Sequence, residues 1–377
     1  MTLDARGREA GRAFRAEIER IETTENDRVS IERFERFRAG RQRGQRIGAG
    51  LVAAAATVAA IVFVVRAFEV AERPAPAAPG TGGLILYGDW DANEQRADWF
   101  TVRPDGSELS DLHVSGTCAV WFPDGSKVLI TNDAAVGAGT PLRPAVIDPD
   151  GSNLRPLDAT RNPDLNLGCG DVSPDGTRIA LEGFGQNGHA ELDGIYSVRA
   201  SDGGGLVRLL KGPVSTPRYS PDGTRLSFFD TKEGVSPTGS GALFVMAADG
   251  SGPVRITPWG YAFDDHAWSP DGSWIVFQRP YGQLYLVRPD GSDLHRIPLD
   301  LPPGTGALNP SWSSDGTWIV FSLQRSDQAE IYMAHPDGTG LRNVIGAPDV
   351  QGQHPDWVET SGLEPPTPCL QSRCSTN

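Results

Sequence analysis

Asp-Gly turns recur along most of this chain at a regular spacing. One series has its aspartate at Asp124, Asp175, Asp222, Asp271 and Asp315, and a second series has it at Asp105, Asp150, Asp202, Asp249, Asp290 and Asp337. Within each series, successive turns lie 41 to 52 residues apart. A period of this length is typical of a propeller blade and exceeds that of most helical solenoids.

The residues of these turns specify hairpins. In the form Ser-Pro-Asp-Gly, proline fixes φ at the second position of a type I turn, and glycine accepts the positive φ at the fourth. The segments around the turns, such as "WIVF", "LYLV" and "IYMA", are short β-branched and aromatic runs of strand length. The 45 glycines and 30 prolines of the chain also fit many short strands joined by tight turns. Each turn is therefore predicted to join two antiparallel strands.

The two series divide each repeat into four strands, A to D, with one turn closing the A-B hairpin and the other closing the C-D hairpin. In the fifth repeat, the predicted strands are A near 264–269, B at 274–278, C at 284–287 and D at 294–297. The first strands, from Leu84, lack an A strand, and the last repeat ends in "HPDWV" with Trp357 at the end of an A strand. The sequence therefore predicts an all-β, six-bladed β-propeller over 84–358, closed by its C-terminal strand.

The repeated phrase resembles a known family. "WSPDG" followed by a strand, then "IY" or "LY" and a second Asp-Gly turn, is similar to the repeat of TolB-type propellers, which also occurs in the propellers of prolyl oligopeptidases. The resemblance covers about 275 residues, and it implies the fold more strongly than any function. Since the sequence contains neither a G-x-S-x-G elbow nor a hydrolase domain, we expect no peptidase activity.

An apolar segment precedes the propeller. The nineteen residues from Ile47 to Val65 carry no charge, and as a helix they would span about 28 Å, close to the thickness of a hydrocarbon core. Arginines cluster just before this segment, so a transmembrane helix over 47–66 with a cytoplasmic N-terminus is predicted. A cleaved signal peptide is the alternative, although 46 residues are long for its basic region.

The other segments are short. Residues 1–46 contain twelve arginines and nine acidic residues, and their apolar spacing predicts a stub of two amphipathic helices. This stub is either a solvated juxtamembrane element or a docking site for a cytoplasmic partner. A Pro/Ala-rich linker is predicted at 67–83 and a flexible tail at 359–377. The net charge of -14 argues against a nucleic-acid partner.

The predicted strand order gives the ring two different ends. The A-B and C-D turns lie at one end, which we call the turn face, and the B-C and D-A loops lie at the other, which we call the loop face. The turns are uniform, whereas the loops vary in length and composition. Variable loops on a rigid ring are where binding residues concentrate, so we expect the binding site on the loop face.

The A strands should line the central channel. We define the ring position as the A-strand residue three places before the tryptophan or its substitute, and it is occupied by Cys118, Cys169, Thr216, Asp265, Asn309 and His354. Cys118 and Cys169 lie in neighbouring blades, which predicts an interblade disulfide in an oxidising exterior. Thiol metal ligands and reduced buried cysteines are the alternatives. Cys369 and Cys374 are expected to form a local disulfide loop rather than a metal site.

Seven residues are candidates for ligand binding at the channel mouth: Trp259, Tyr261, Asp264, Asp265, His266, Asn309 and His354. Their polar members could hold a divalent cation such as calcium or a polar ligand, or they could simply bond to one another and to water. Trp259 and Tyr261 are either a stacking platform or loop residues packed on the ring.

The expected function is a membrane-anchored, extracytoplasmic binding or sensing module that binds a protein, glycan or small ligand and has no catalytic activity. The alternative is a metal-dependent hydrolase or lactonase acting at the channel mouth. A third hypothesis adds signalling through a cytoplasmic partner of residues 1–46.

Overall fold

The computed structural model describes residues 83–91, 96–132, 142–231, 241–262, 265–280, 282–325, 328–345 and 351–358. Within these ranges, 24 strands form six four-stranded antiparallel sheets. The predicted all-β, six-bladed propeller is confirmed.

The strands follow the predicted A-to-D order in each blade. Blade 1 contains β1 (Leu84–Asp91), β2 (Arg96–Val102) and β3 (Ser110–Gly116), and blade 2 contains β4 (Cys118–Trp121), β5 (Val128–Asn132), β6 (Arg143–Ile147) and β7 (Arg155–Pro156). Blade 3 contains β8 (Leu165–Val172), β9 (Arg178–Gly185), β10 (Gly194–Arg199) and β11 (Val207–Lys211), with a 3-10 turn at Ala190–Leu192.

The second half of the ring is built in the same way. Blade 4 contains β12 (Val214–Tyr219), β13 (Arg225–Asp230), β14 (Ala242–Ala247) and β15 (Val254–Arg255), and blade 5 contains β16 (His266–Trp268), β17 (Ile275–Arg279), β18 (Gln283–Val287) and β19 (His295–Arg296). Blade 6 contains β20 (Thr305–Trp312), β21 (Ile319–Arg325), β22 (Gln328–Ala334) and β23 (Arg342–Ile345), and β24 (Gly352–Val358) follows it.

The C-terminal strand closes the ring. β24 pairs antiparallel with β1, and Leu84 lies opposite Val358 in this pairing. β24 is therefore the A strand of blade 1, as the missing A strand at the start of the repeats predicted.

The hydrophobic core lies between the blades. Buried apolar residues form six clusters, one at each interface between neighbouring blades. The tryptophans that end two of the A strands also bond across an interface, since Trp268 Nε1 donates to Arg218 O at 3.2 Å and Trp312 Nε1 donates to Ala267 O at 3.3 Å. Each blade thus depends on its neighbours for burial of its faces, which makes the ring one packed unit.

The Asp-Gly turns have the structure that their residues predict. In the Ser173–Gly176 turn, Ser173 Oγ donates to Asp175 Oδ1 at 2.6 Å, and Gly176 has φ +69°. Thr177 N also donates to Asp175 Oδ1, at 3.0 Å. Such bonds hold the pKa of the turn aspartates below the usual range, and they lower the pKa of Asp222 to about 2. These aspartates therefore stabilise hairpins.

Several predicted segments lie outside the described residues. They are the helical stub at 1–46, the transmembrane helix at 47–66, the linker at 67–83 except Gly83, and the tail at 359–377 with Cys369 and Cys374. Within the described ranges, no helix has the length and hydropathy needed to cross a membrane.

Candidate functional site

β-bulges interrupt the A strands at the ring position. The pairing of the A strand with its neighbour shifts register at this point in blades 1, 3, 4 and 6. Thr216, Asn309 and His354 have φ values of 47°, 50° and 50° there, a left-handed conformation that is uncommon for residues other than glycine. A bulge bends the strand and changes the direction of a side chain, so the same local distortion recurs around the channel.

Asp265 is the centre of a hydrogen-bond network in the channel. Its Oδ1 accepts from Arg218 Nη2 at 3.0 Å, and its Oδ2 lies 2.7 Å from His354 Nδ1 and 3.0 Å from Asn309 Nδ2. These four side chains come from blades 4, 5, 1 and 6. The structure therefore brings together three of the predicted residues, Asp265, Asn309 and His354, and adds an arginine to them.

The environment of Asp265 keeps its carboxylate ionised. Burial alone would raise its pKa, but the hydrogen bond and charge of His354, the charge of Arg218 and the hydrogen bond from Asn309 together hold the pKa of Asp265 well below its usual range. The backbone of Asn309 is also fixed, because Asn309 N donates to Gln278 Oε1 at 2.5 Å.

A second layer of charged residues lies two positions farther along the A strands. Arg218 Nη1 donates to Gly170 O at 2.9 Å, and Asp171 Oδ2 accepts from Tyr219 N at 2.7 Å. Asp356 Oδ2 accepts from Trp121 N at 2.8 Å, and its Oδ1 accepts from Ser311 Oγ at 3.1 Å. Both aspartates thus connect the A strand of their own blade to that of the next.

These interior residues were not predicted, although the sequence contained a signal for three of them. Arg218, Asp171 and Asp356 each stand two residues after the ring position, so alignment on the end of the A strand places three charged residues at one equivalent position. The fourth, Glu182 on β9, bonds to the ring position through its carboxylate: Cys169 N donates to Oε1 at 3.2 Å and Thr216 N to Oε2 at 3.4 Å.

The pKa values of two of these carboxyl groups, Asp171 and Asp356, are raised. Partial burial raises the pKa of Asp171 to about 6, against the opposing effect of the Arg218 charge. Desolvation likewise raises the pKa of Asp356, although Trp121 N and Arg218 oppose the rise. These two groups therefore differ from Asp265, whose donors outweigh its burial.

The predicted interblade disulfide is confirmed. Cys118 and Cys169 form a disulfide with their Cα atoms 5.7 Å apart, and 51 positions separate them in sequence. Cys118 is the first residue of β4 and Cys169 lies in β8, so the bond joins blade 2 to blade 3 at the ring position.

The structure corrects the placement of His266. Its Nε2 lies 2.8 Å from Ser227 Oγ, and the two residues are only 1% and 0% exposed. They lie between blades 4 and 5 rather than at the channel mouth, because adjacent residues of an extended strand point to opposite sides and Asp265 takes the channel side. Asp264 lies outside the described residues.

The two aromatic candidates make packing contacts. Tyr261 is 6% exposed, and its ring meets that of Tyr285 edge-on with centroids 5.4 Å apart. The guanidinium carbon of Arg279 lies 4.3 Å from the Tyr261 ring centroid. The ring of Trp259 lies 5.7 Å from that of Phe244. These contacts favour the interpretation of both residues as packed loop residues.

No group of three or more histidine, cysteine, aspartate or glutamate side chains in the described part of the chain has an arrangement that could hold a metal ion. The possibility of a divalent cation at the channel mouth therefore gains no support from the residues that can be placed, and the oxygens of Asp265 accept from donors of its own chain.

Comparisons with known proteins agree with the architecture. A family model described as the TolB beta propeller domain matches residues 137–357. No curated protein matches the chain. Similar solved structures include TolB from Acinetobacter baumannii, with 18% identity and a TM-score of 0.57 over 74% of this chain and 68% of that one.

Two further structures are similar. The putative TolB from Agrobacterium tumefaciens has 20% identity and a TM-score of 0.52, over 73% of this chain and 92% of that one. A chain from a nidogen/laminin complex has 8% identity and a TM-score of 0.55, over 74% of this chain and 99% of that one. At these identities the likeness concerns the fold alone.

Proposed function

Because the chain belongs to the TolB beta propeller domain family, we propose that it is a membrane-anchored binding module that recognises an extracytoplasmic partner on the loop face and catalyses no reaction. The family itself shows the propeller. The proposal for this chain is supported mainly by one observation, the occupation of both Asp265 oxygens by Arg218, Asn309 and His354.

This arrangement suits a structural acceptor better than a catalyst. A general base needs a lone pair that can reach its substrate and a pKa near the working pH, whereas Asp265 has three donors and a lowered pKa. The contact between Ser227 and His266 has the distance of a nucleophile and its base, but burial of both residues separates it from any substrate.

The loop face offers variable surface on a rigid support. In blade 3, β9 and β10 are separated by a long connection that contains the 3-10 turn, and Phe184 near the end of β9 is 38% exposed. In blade 5, only 280–282 separate β17 from β18. Differences of this kind at one end of a ring supply recognition surfaces. One structure of similar fold comes from a complex of two proteins, nidogen and laminin, and we propose a protein as the partner here.

The disulfide supports an extracytoplasmic location for the propeller, because such bonds persist in oxidising compartments. The uncharged segment from Ile47 to Val65 and the arginines before it support a single membrane anchor with a cytoplasmic N-terminus. We further propose that residues 1–46 engage a cytoplasmic partner. Pull-down of cytoplasmic proteins with the full chain, but not with a chain lacking residues 1–40, is expected.

Site-specific photo-crosslinking in the full chain tests the proposed surface. A photoreactive amino acid at Phe184 on the loop face should capture a partner in cells of the native host, whereas one at the exposed Pro123 on the turn face should not. Capture from Pro123 alone, or with equal yield from both positions, would refute the proposed surface.

The alternative of a metal-dependent hydrolase is tested on purified protein. Elemental analysis of the purified full chain and of its Asp265→Ala and His354→Ala variants should find no stoichiometric metal in any of the three. A metal present in the wild-type protein and lost from both variants would favour the hydrolase.

A further inference from the structure

Among the described residues, the groups that surround Arg218 in the channel are mostly acidic. The guanidinium of Arg218 interacts electrostatically with four carboxyl groups, those of Asp171, Glu182, Asp265 and Asp356. These carboxyl groups come from blades 3, 5 and 1. The imidazole of His354, with Nδ1 2.7 Å from Asp265 Oδ2, is the second basic group of the cluster after Arg218. Even with a protonated His354, four carboxylates would face two cations. Like charges held close together repel one another, so this cluster is unbalanced when every carboxyl group is ionised.

Hydrogen bonds between blades hold the carboxyl groups in place. Asp171 of blade 3 accepts from Tyr219 N of blade 4, and Asp356 of blade 1 accepts from Trp121 N of blade 2. Arg218 adjoins Tyr219 in sequence and also donates to Gly170 O, next to Asp171. Moving either aspartate away from the cluster would break a contact between neighbouring A strands, so the excess charge can be relieved at lower cost by taking up a proton.

We propose that this cluster is a proton-operated latch, in which protonation of Asp171 at mildly acidic pH reduces repulsion among the carboxyl groups and stabilises the folded ring. Near neutral pH the same group is ionised, and the repulsion lowers the stability of the ring. A propeller exposed to the surroundings of the cell would thus change its stability with external pH.

The electrostatics of Asp171 agree in direction with this geometry. Desolvation raises its pKa to about 6; Arg218 and the Tyr219 N–H oppose the rise, and Asp356 adds to it. An unfolded aspartate has a pKa of about 3.9. The folded state therefore binds more protons between these values, and the stabilisation is complete below about pH 4 and lost as the pH rises through about 6.

Charged and titratable groups also lie on the elements around β8. They are Arg178 and Glu182 on β9, Arg218 and Tyr219 on β12, Asp356 on β24, Asp265 before β16, and Arg143 on β6. Cys118 and Cys169 do not titrate, since they form the disulfide. Asp171 accepts the hydrogen bond that joins the A strands of blades 3 and 4, and its pKa is raised into the mildly acidic range, which makes it the residue to substitute.

The test compares the full chain with two variants that each remove one negative charge. Asp171→Asn keeps an oxygen that can accept from Tyr219 N, and Asp300→Asn removes an exposed carboxylate as a control. Thermal unfolding is followed between pH 5 and pH 7.5. We expect the Tm of the wild-type protein to fall by several degrees relative to Asp171→Asn as the pH rises. The difference between wild type and Asp300→Asn should stay constant.

A constant difference between wild type and Asp171→Asn, or a change of the opposite sign, would overturn the proposal, because a merely structural role shifts the Tm equally at every pH. If Asp171→Asn does not fold, Asp356→Asn tests the same cluster. Removal of the neighbouring charge should move the midpoint of the wild-type pH dependence to a lower pH. An unchanged midpoint would also overturn the latch.

Discussion

The six ring positions are equivalent by repeat, yet two parts of the ring use different chemistry. Blades 2 and 3 are joined covalently by Cys118 and Cys169, which we call the covalent half of the ring. Blades 5, 6 and 1 are joined through hydrogen bonds by Asp265, Asn309 and His354, which we call the polar half. A covalent bond fixes a separation permanently, whereas polar side chains can exchange partners. The repeat thus supplies the geometry, and the residue at the ring position decides whether neighbouring blades are joined by a covalent bond or by hydrogen bonds.

Removing the disulfide of the covalent half is expected to have the largest effect on stability. A Cys118→Ala, Cys169→Ala double variant loses a cross-link between residues 51 positions apart, and its free energy of unfolding should fall by about 4 kcal/mol in the chain-entropy model. Urea denaturation without reductant measures the loss. The wild-type protein with reductant serves as the control and should approach the stability of the variant. A loss below about 1 kcal/mol would show that the remaining interblade contacts already constrain the ring.

Substitution of Asp265, the centre of the polar half, should lower the free energy of unfolding by somewhat less. Asp265→Ala leaves Arg218 without its closest carboxylate and takes an acceptor from Asn309 and His354. Unpairing a largely buried charge destabilises a protein by about 3 kcal/mol. Asp265→Asn keeps one acceptor oxygen and should lose less. Equal stability of Asp265→Ala and wild type in urea denaturation would mean that water replaces the carboxylate, and that the polar half does not hold the blades together.

A smaller effect is expected from the bond that fixes Asn309 itself. Gln278→Met removes the acceptor of Asn309 N, which donates to Gln278 Oε1 in a buried setting. An unsatisfied buried N–H costs about 2 kcal/mol. Gln324→Met, near the end of β21, is the control and should change stability by less than about 0.5 kcal/mol. If both substitutions have the same effect, the bulge at Asn309 does not depend on this bond.

Much of the architecture could be predicted because the repeat carries it. The spacing of the Asp-Gly turns, the missing A strand before Leu84 and the extra one ending at Trp357 determine the number of blades and the closure. Alignment on the final tryptophan then placed Cys118 beside Cys169, and Asp265 near Asn309 and His354, since equivalent strand positions surround one axis. These inferences required no knowledge of side-chain conformation.

The remaining features depend on side-chain direction and reach. His266 was wrongly placed in the channel because it follows Asp265 directly, and the alternation of a strand turns it toward Ser227 instead. Arg218 was missed because its role depends on a long side chain that extends from blade 4 to Asp265 in blade 5 and to Gly170 in blade 3. Spacing locates the Cα atom of an arginine but not the carboxylates that it meets.

The smallest predicted effect concerns the one ring position that belongs to neither half. Thr216 is β-branched but has φ +47°, a conformation that costs such a residue about 1 kcal/mol or more. Asparagine tolerates this region better, so Thr216→Asn should raise the free energy of unfolding by a few tenths of a kcal/mol up to about 1 kcal/mol. The buried Thr131 on β5 is the control. Thr131→Asn should destabilise, because its position is an ordinary strand where asparagine is disfavoured. A loss at Thr216 comparable to that at Thr131 would mean that the contacts of the Thr216 side chain outweigh its backbone strain, as the contacts of the polar half do.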